Sequence, residues 1–193
     1  MPRRASFCGC TAVGDSVPSH SHPAGVSSSK YFHNPPTTMI TVCNSARDVA
    51  SFVIALEGFR EVTNLRLQKL LYFLQGYSFQ CFHLPLFPQN MEAWTYGPVC
   101  APLYGDYVAY RNRPIPHWEG TRSLPTNPDS NISMDNAQNF VRVVMEWADH
   151  YTSGQLVEMS HQAGTPWSIV WNNGEGKYAS IPMLLIQRYF THV

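Results

Sequence analysis

Residues 63–82 read Thr63-Asn64-Leu65-Arg66-Leu67-Gln68-Lys69-Leu70-Leu71-Tyr72-Phe73-Leu74-Gln75-Gly76-Tyr77-Ser78-Phe79-Gln80-Cys81-Phe82. Thr63 is a good N-cap, and the spacing after it predicts a helix from Asn64 to about Phe82. Leu67, Leu70, Leu71, Leu74, Ser78 and Cys81 line one side. Leu65, Tyr72 and Phe79 form a second apolar row, seven residues apart. A helix that is apolar on two sides is normally buried. Leu70 and Leu74 are therefore expected in the core of a mainly helical domain. Arg66, Lys69 and Gln80 make a narrow polar seam, and Gln68 and Gln75 a second polar pair. Gly76 interrupts the helix at about 1 kcal/mol relative to Ala, and a close backbone contact is the expected compensation.

Elements on either side extend the helical reading. Upstream, Ser45-x-x-Asp48 reads as a capping box, followed at helical spacing by Ala46, Val49, Ala50, Val53 and Leu56, with Gly58 as a stop. Downstream, Pro85-Leu86-Phe87-Pro88 is a turn that no helix crosses. Met91, Ala93 and Thr95 alternate with Glu92, Trp94 and Tyr96, which predicts a short strand ended by Gly97-Pro98. A short helix is expected over Ala101 to Tyr110, then a proline-rich loop from Arg111 to Ser130.

The next helix starts near Asp135, with Ala137, Phe140, Val141, Val144, Ala148 and Tyr151 as its apolar stripe and Gln138, Arg142, Glu146 and Asp149 opposite. Thr152-x-x-Gln155 caps another helix through about Ser160. Gly164-Thr165-Pro166 breaks the chain, Trp167 to Trp171 makes one more turn, Asn172 to Gly176 is loop, and Ile181 to Phe190 is a final helix with Pro182 in its first turn. The fold class is mainly α, a compact multi-helix domain with room for one short β-hairpin. Strands do not alternate with helices as a parallel sheet requires.

Composition bounds the partners. The 193 residues are 44% hydrophobic and 13% charged, with 13 basic residues against 13 acidic ones. That balance lacks the basic footprint of a general nucleic-acid binder, and no apolar run reaches the ~18 residues of a membrane span. The five cysteines are odd in number and lack framework spacing, which points to free thiols in a reducing, cytoplasmic compartment. Residues 1–38 carry Pro2, Pro18, Pro23, Pro35, Pro36 and many serines without periodicity, so they are expected to be a disordered tail or a non-native leader, dispensable to the domain at 39–193. Cys8-x-Cys10 with His20-x-His22 is too tightly spaced for a zinc site.

Three stretches in order carry a family resemblance. They are Thr63 to Phe73 with Gln75-Gly76; Glu92-Ala93-Trp94-Thr95-Tyr96-Gly97-Pro98-Val99 leading to Tyr104; and Leu156-x-x-Met159-Ser160-His161-Gln162-x-Gly164-Thr165-Pro166-Trp167 before the closing Ile181-Pro182 helix. Together they resemble the Panacea domain family, also called SocA-like or GepA-like. The resemblance implies an antitoxin of bacteria and their mobile genetic elements, which neutralises a cognate toxin by protein–protein contact. One branch of the family instead delivers its toxin to a cytosolic protease as an adaptor. Some members add a DNA-binding domain, but residues 1–38 hold no helix-turn-helix, so direct DNA binding is not expected. The resemblance supplies no catalytic residues.

The residues support the same class. Ser160 and His161 are adjacent, and neighbours on a helix do not face each other, so they make no nucleophile–base pair. His83, His117, His150 and His161 show no metal spacing, and Gly174-Glu175-Gly176-Lys177 lacks the length of a phosphate loop. No catalytic residue, metal or cofactor is expected, and an enzyme is the remote alternative. His161 is expected to bond carbonyls at its helix end, beside Trp167. Tyrosine and tryptophan recur at interface anchors, so Trp94, Tyr96 and Tyr104 around Gly97-Pro98 are the candidate partner-binding residues, with Gln68, Lys69, His161 and Trp167 completing them.

Overall fold

The computed structural model describes residues 39–191. Among them are seven α-helices and one three-stranded sheet. The helices are α1 (Ala46–Ala55), α2 (Asn64–Phe82), α3 (Ala101–Tyr107), α4 (Met134–Asp149), α5 (Ser153–His161), α6 (Pro166–Trp171) and α7 (Met183–Thr191). The strands are β1 (Met91–Trp94), β2 (Gly97–Val99) and β3 (Ser180–Ile181). The tail and its cysteine and histidine pairs lie outside the described residues.

Side-chain caps set the helix starts. Ser45, Thr63, Ser133, Thr152 and Thr165 each accept a backbone amide of the first turn. At Thr152 the box closes fully, because Gln155 accepts the Thr152 amide in return. At Ser45 half the box is replaced: the Asp48 carboxylate takes the Ser45 hydroxyl, and Gln89 from a distant turn accepts the Ala46 amide at 2.7 Å.

The 19 residues of α2 form the axis, in contact with α1, α3, α4, α5, α7 and β2. Leu67, Leu70, Leu71 and Leu74 have no exposed surface. The second apolar row is buried at Tyr72 and Phe79, while Leu65 stays 39% exposed. Gly76 is compensated by a side chain rather than by backbone: a Cβ there would lie 2.3 Å from the Phe190 ring of α7. That ring also meets Tyr72, Phe73 and Tyr77 edge-on, so α7 closes the core over the second face of α2.

Three expectations are corrected. Gly97-Pro98 does not end the strand region but opens β2, giving the register Trp94↔Gly97, Ala93↔Pro98 and Glu92↔Val99. Proline is tolerated because β2 is an edge strand, where no partner needs its missing N–H. Ile181 belongs to β3, paired with Met91, and α7 starts after Pro182, whose carbonyl accepts the amides of Leu185 and Ile186. Finally, Arg66 and Lys69 form no solvent seam, since only Gln80 of that trio reaches the surface.

Candidate functional site

The hairpin of β1 and β2 is fastened from beneath by polar side chains of α2. Lys69 Nζ donates to the Pro98 carbonyl at 2.7 Å. Gln68 Oε1 accepts the Cys100 amide at 2.9 Å, and its amide nitrogen donates to Asn64 Oδ1 at 3.2 Å. Asn64 in turn donates to the Tyr104 carbonyl at 3.1 Å, in the middle of α3. From the other side Trp167 Nε1 donates to the Trp94 carbonyl at 2.9 Å. Gly97 sits at φ +95°, and a Cβ there would lie 2.7 Å from both Lys69 Nζ and Ser160 Oγ. Both the left-handed backbone and the lack of space require glycine at this position. The Thr95-Tyr96 turn is thereby held rigid.

Tyr96 stands on that turn, 69% exposed. Behind it the Trp94 ring packs against Tyr104 at 5.0 Å and edge-on against Tyr178 at 5.3 Å, and its indole N–H donates to the Glu92 carboxylate at 2.9 Å. A second stack runs His161, Trp167, Trp171: His161 lies flat on Trp167 at 3.7 Å, and Trp167 on Trp171 at 5.2 Å. His161 thus bonds no carbonyl. Its Nε2 is buried without a partner, and burial, then the nearby Lys69 charge, push its pKa below the ordinary histidine range.

The sequence-derived candidates divide into two groups. Trp94 of β1 and Tyr104 of α3 are brought together, both half-buried, and Tyr96 stands exposed on the hairpin turn. Gln68 and Lys69 have no exposed surface and Trp167 keeps 6%, so these residues support the hairpin from within, with His161 half-buried beside them. Burial pushes the Lys69 amine down to about 7. Lys69 therefore holds Pro98 with an amine that titrates near neutrality. Ser160 is fully buried and donates to the Val157 carbonyl at 2.7 Å. Neither it nor Lys69 reaches a surface where a substrate could meet it.

Sequence reasoning missed Tyr178. It is 57% exposed, its φ is +67°, and Lys177 Nζ lies 5.0 Å from its ring centre. Its amide donates to the Ala93 carbonyl at 2.8 Å, which locks the loop after α6 onto β1. A bulky residue at positive φ persists only when its surroundings hold it there. The available signal was Asn172-Asn173-Gly174, whose residues all take the positive φ such types favour and turn the chain toward β3.

The family model described as Antitoxin SocA-like, Panacea domain, matches residues 67–168. The chain belongs to the Panacea domain family. The Panacea match runs from within α2 to within α6, so it spans the hairpin and most of the side chains that hold it. Among curated proteins the chain is similar to "Antitoxin SocA" of Caulobacter vibrioides (strain NA1000 / CB15N), 28% identical over 143 residues, covering 72% of this chain and 76% of that protein. No solved structure matches. Membership of the Panacea family supports an antitoxin role. No helix among the described residues is long and apolar enough to cross a membrane.

Proposed function

We propose that this Panacea domain neutralises a cognate toxin by binding it directly in the cytoplasm, and that the hairpin face makes the contact. The observation that carries the reading is Tyr96, a large ring 69% exposed on a turn fixed by Gly97 and fastened to α2. Ordering side chains at an interface costs free energy, and a rigid turn has already met much of that cost. Trp94, Tyr104 and Tyr178 extend the surface with rings that combine large area with a polar tip. The antitoxin relative supplies the class of partner. The buried thiols Cys43 and Cys100, which form no disulfide, suit a reducing compartment.

The test is co-expression with the toxin. Tyr96→Ala and Tyr104→Ala are each expected to weaken toxin binding by about thirtyfold, the usual effect of truncating an interface anchor. Growth rescue should fall while the circular dichroism melt stays unchanged. If both variants melt normally and rescue fully, the toxin binds elsewhere. The toxin's half-life in the same cells separates neutralisation from delivery to a protease: neutralisation leaves it unchanged, and delivery shortens it.

A further inference from the structure

Away from the hairpin, the loop between α3 and α4 presents Trp118 at 76% exposure, more than any other large hydrophobic side chain among the described residues. No described ring packs against it. Its backbone is nonetheless fixed. His117 Nδ1 bonds the Ile54 carbonyl at 2.7 Å, the Thr121 amide donates to the Ser51 carbonyl at 3.1 Å, and the Ile115 amide donates to the Val62 carbonyl at 2.8 Å. Gly120 is seated so closely on α1 that a Cβ would lie 2.4 Å from the Ser51 carbonyl oxygen and 2.5 Å from the Ala55 nitrogen. A tryptophan held rigid and bare is the arrangement of an interface anchor.

Its surroundings set the charge of the partner. Arg111 and Arg113 are exposed and pair with no carboxylate among the described residues. The one acidic side chain of the turn, Glu119, is engaged by the Tyr110 hydroxyl at 2.6 Å, which ties the Arg111 end of the loop to the Trp118 end. Arg111 is held at φ 54°, ψ −115°, a backbone conformation suited to glycine. Backbone strain of this kind clusters at functional sites.

We propose that Trp118 with Arg111 and Arg113 forms a second docking surface, distinct from the hairpin face, for an acidic segment of another protein that carries an apolar side chain. Guanidinium groups pair with carboxylates in a forked geometry, and the indole receives the apolar group. The chain's own residues 1–38 are the wrong complement, with Arg3, Arg4 and Lys30 against Asp15. Nucleic acid fits less well. Two free arginines neutralise about two phosphates, whereas strong binding uses roughly 6–10, and the whole chain carries no net charge.

The experiment is fluorescence anisotropy on the full chain with three labelled probes: a twelve-residue peptide alternating Glu with Leu and Phe, its Lys-for-Glu twin, and a twelve-nucleotide single-stranded DNA. Saturable binding of the acidic peptide alone is expected. Trp118→Ala should weaken it about thirtyfold with an unchanged melt, and Tyr96→Ala should leave it unaltered. Arg111→Gly removes strain and charge together, so its thermal midpoint should rise while affinity for the probe falls. No saturable binding of the acidic peptide, equal binding of its basic twin, or binding indifferent to Trp118→Ala overturns the proposal. Trp118-dependent binding of the DNA alone also overturns it, and would assign the surface to nucleic acid.

Discussion

Helices α2 and α4 are both long, yet they treat their polar residues in opposite ways. In α4, Ala137, Phe140, Val141, Val144 and Ala148 are buried while Arg142 and Glu146 face solvent. In α2, Arg66, Gln68, Lys69 and Gln75 are as buried as Leu67, Leu70, Leu71 and Leu74. Each of the four reaches the backbone of another segment. Arg66 donates to the Tyr151 and Ala148 carbonyls at 2.8 and 3.0 Å, closing the end of α4. Gln75 Oε1 accepts the amides of Leu86 and Phe87, and its nitrogen donates to the Phe87 carbonyl. Buried polar groups persist when they are hydrogen-bonded. Arg142 and Glu146 on α4 serve solvation, whereas the buried polar residues of α2 position loops and strands distant in sequence.

Four substitutions test that contrast. Leu74→Ala on the apolar side of α2 should cost about 2–5 kcal/mol, the range for a fully buried leucine, read as a lower chemical-denaturation midpoint. Gln75→Ala comes next. It leaves the Leu86 and Phe87 amides without their acceptor, and a buried group left unsatisfied costs about 1–3 kcal/mol. If Gln75→Ala is as stable as the parent, the polar residues of α2 are passengers and the contrast with α4 collapses.

Lys69→Met sharpens the comparison through pH. The folded amine titrates near 7, and an unfolded lysine near 10.4. Between those values the unfolded chain holds more protons, so stability rises with pH. From pH 7 to pH 8.5 the gain should be about 1–2 kcal/mol, and Lys69→Met should abolish it. Toward the top of that window the unfolded thiols of Cys43 and Cys100 begin to ionise while burial holds the folded ones protonated, which takes back part of the gain, and Tyr72 acts in the same direction at still higher pH. A parent protein whose denaturation midpoint is flat from pH 7 to 8.5 would show that the amine is not desolvated as described. Smallest of all, Glu146→Ala on the outer face of α4 should change stability by no more than about 0.5 kcal/mol.

The same contrast explains what could be read in advance. The starts of α2 and α5 were legible because Thr63 and Thr152 cap with atoms only a few residues away. The stripe of α4 was legible because periodicity reports a helix with one wet face. Lys69 and Gln68 looked like a solvent flank because their partners, Pro98 and Cys100, lie about thirty residues on, and no local pattern encodes such a pairing. Strand β3 escaped for a related reason: two residues, Ser180 and Ile181, are too few to show alternation. The exposure of Tyr96 was legible from the turn it stands on, whereas the packing of Trp94 on Tyr104 joins two elements. Tyr178 and Trp118 were not legible, because each acquires its exposure from a loop whose path is set by distant backbone contacts.

The fastening of β2 also bears on how another chain can approach. In the hairpin register Gly97 and Val99 pair with β1, and the Pro98 carbonyl and Cys100 amide meet Lys69 and Gln68 of α2. Those are the groups an incoming strand would need, and Pro98 lacks an N–H to offer. Exposed strand edges are templates for unwanted pairing, so this edge resists self-association into extended sheets. It also narrows the recognition mode. A partner at the proposed hairpin face cannot extend the sheet across β2 by adding a strand, so there it would engage side chains, and its selectivity should follow their shapes rather than its own backbone conformation.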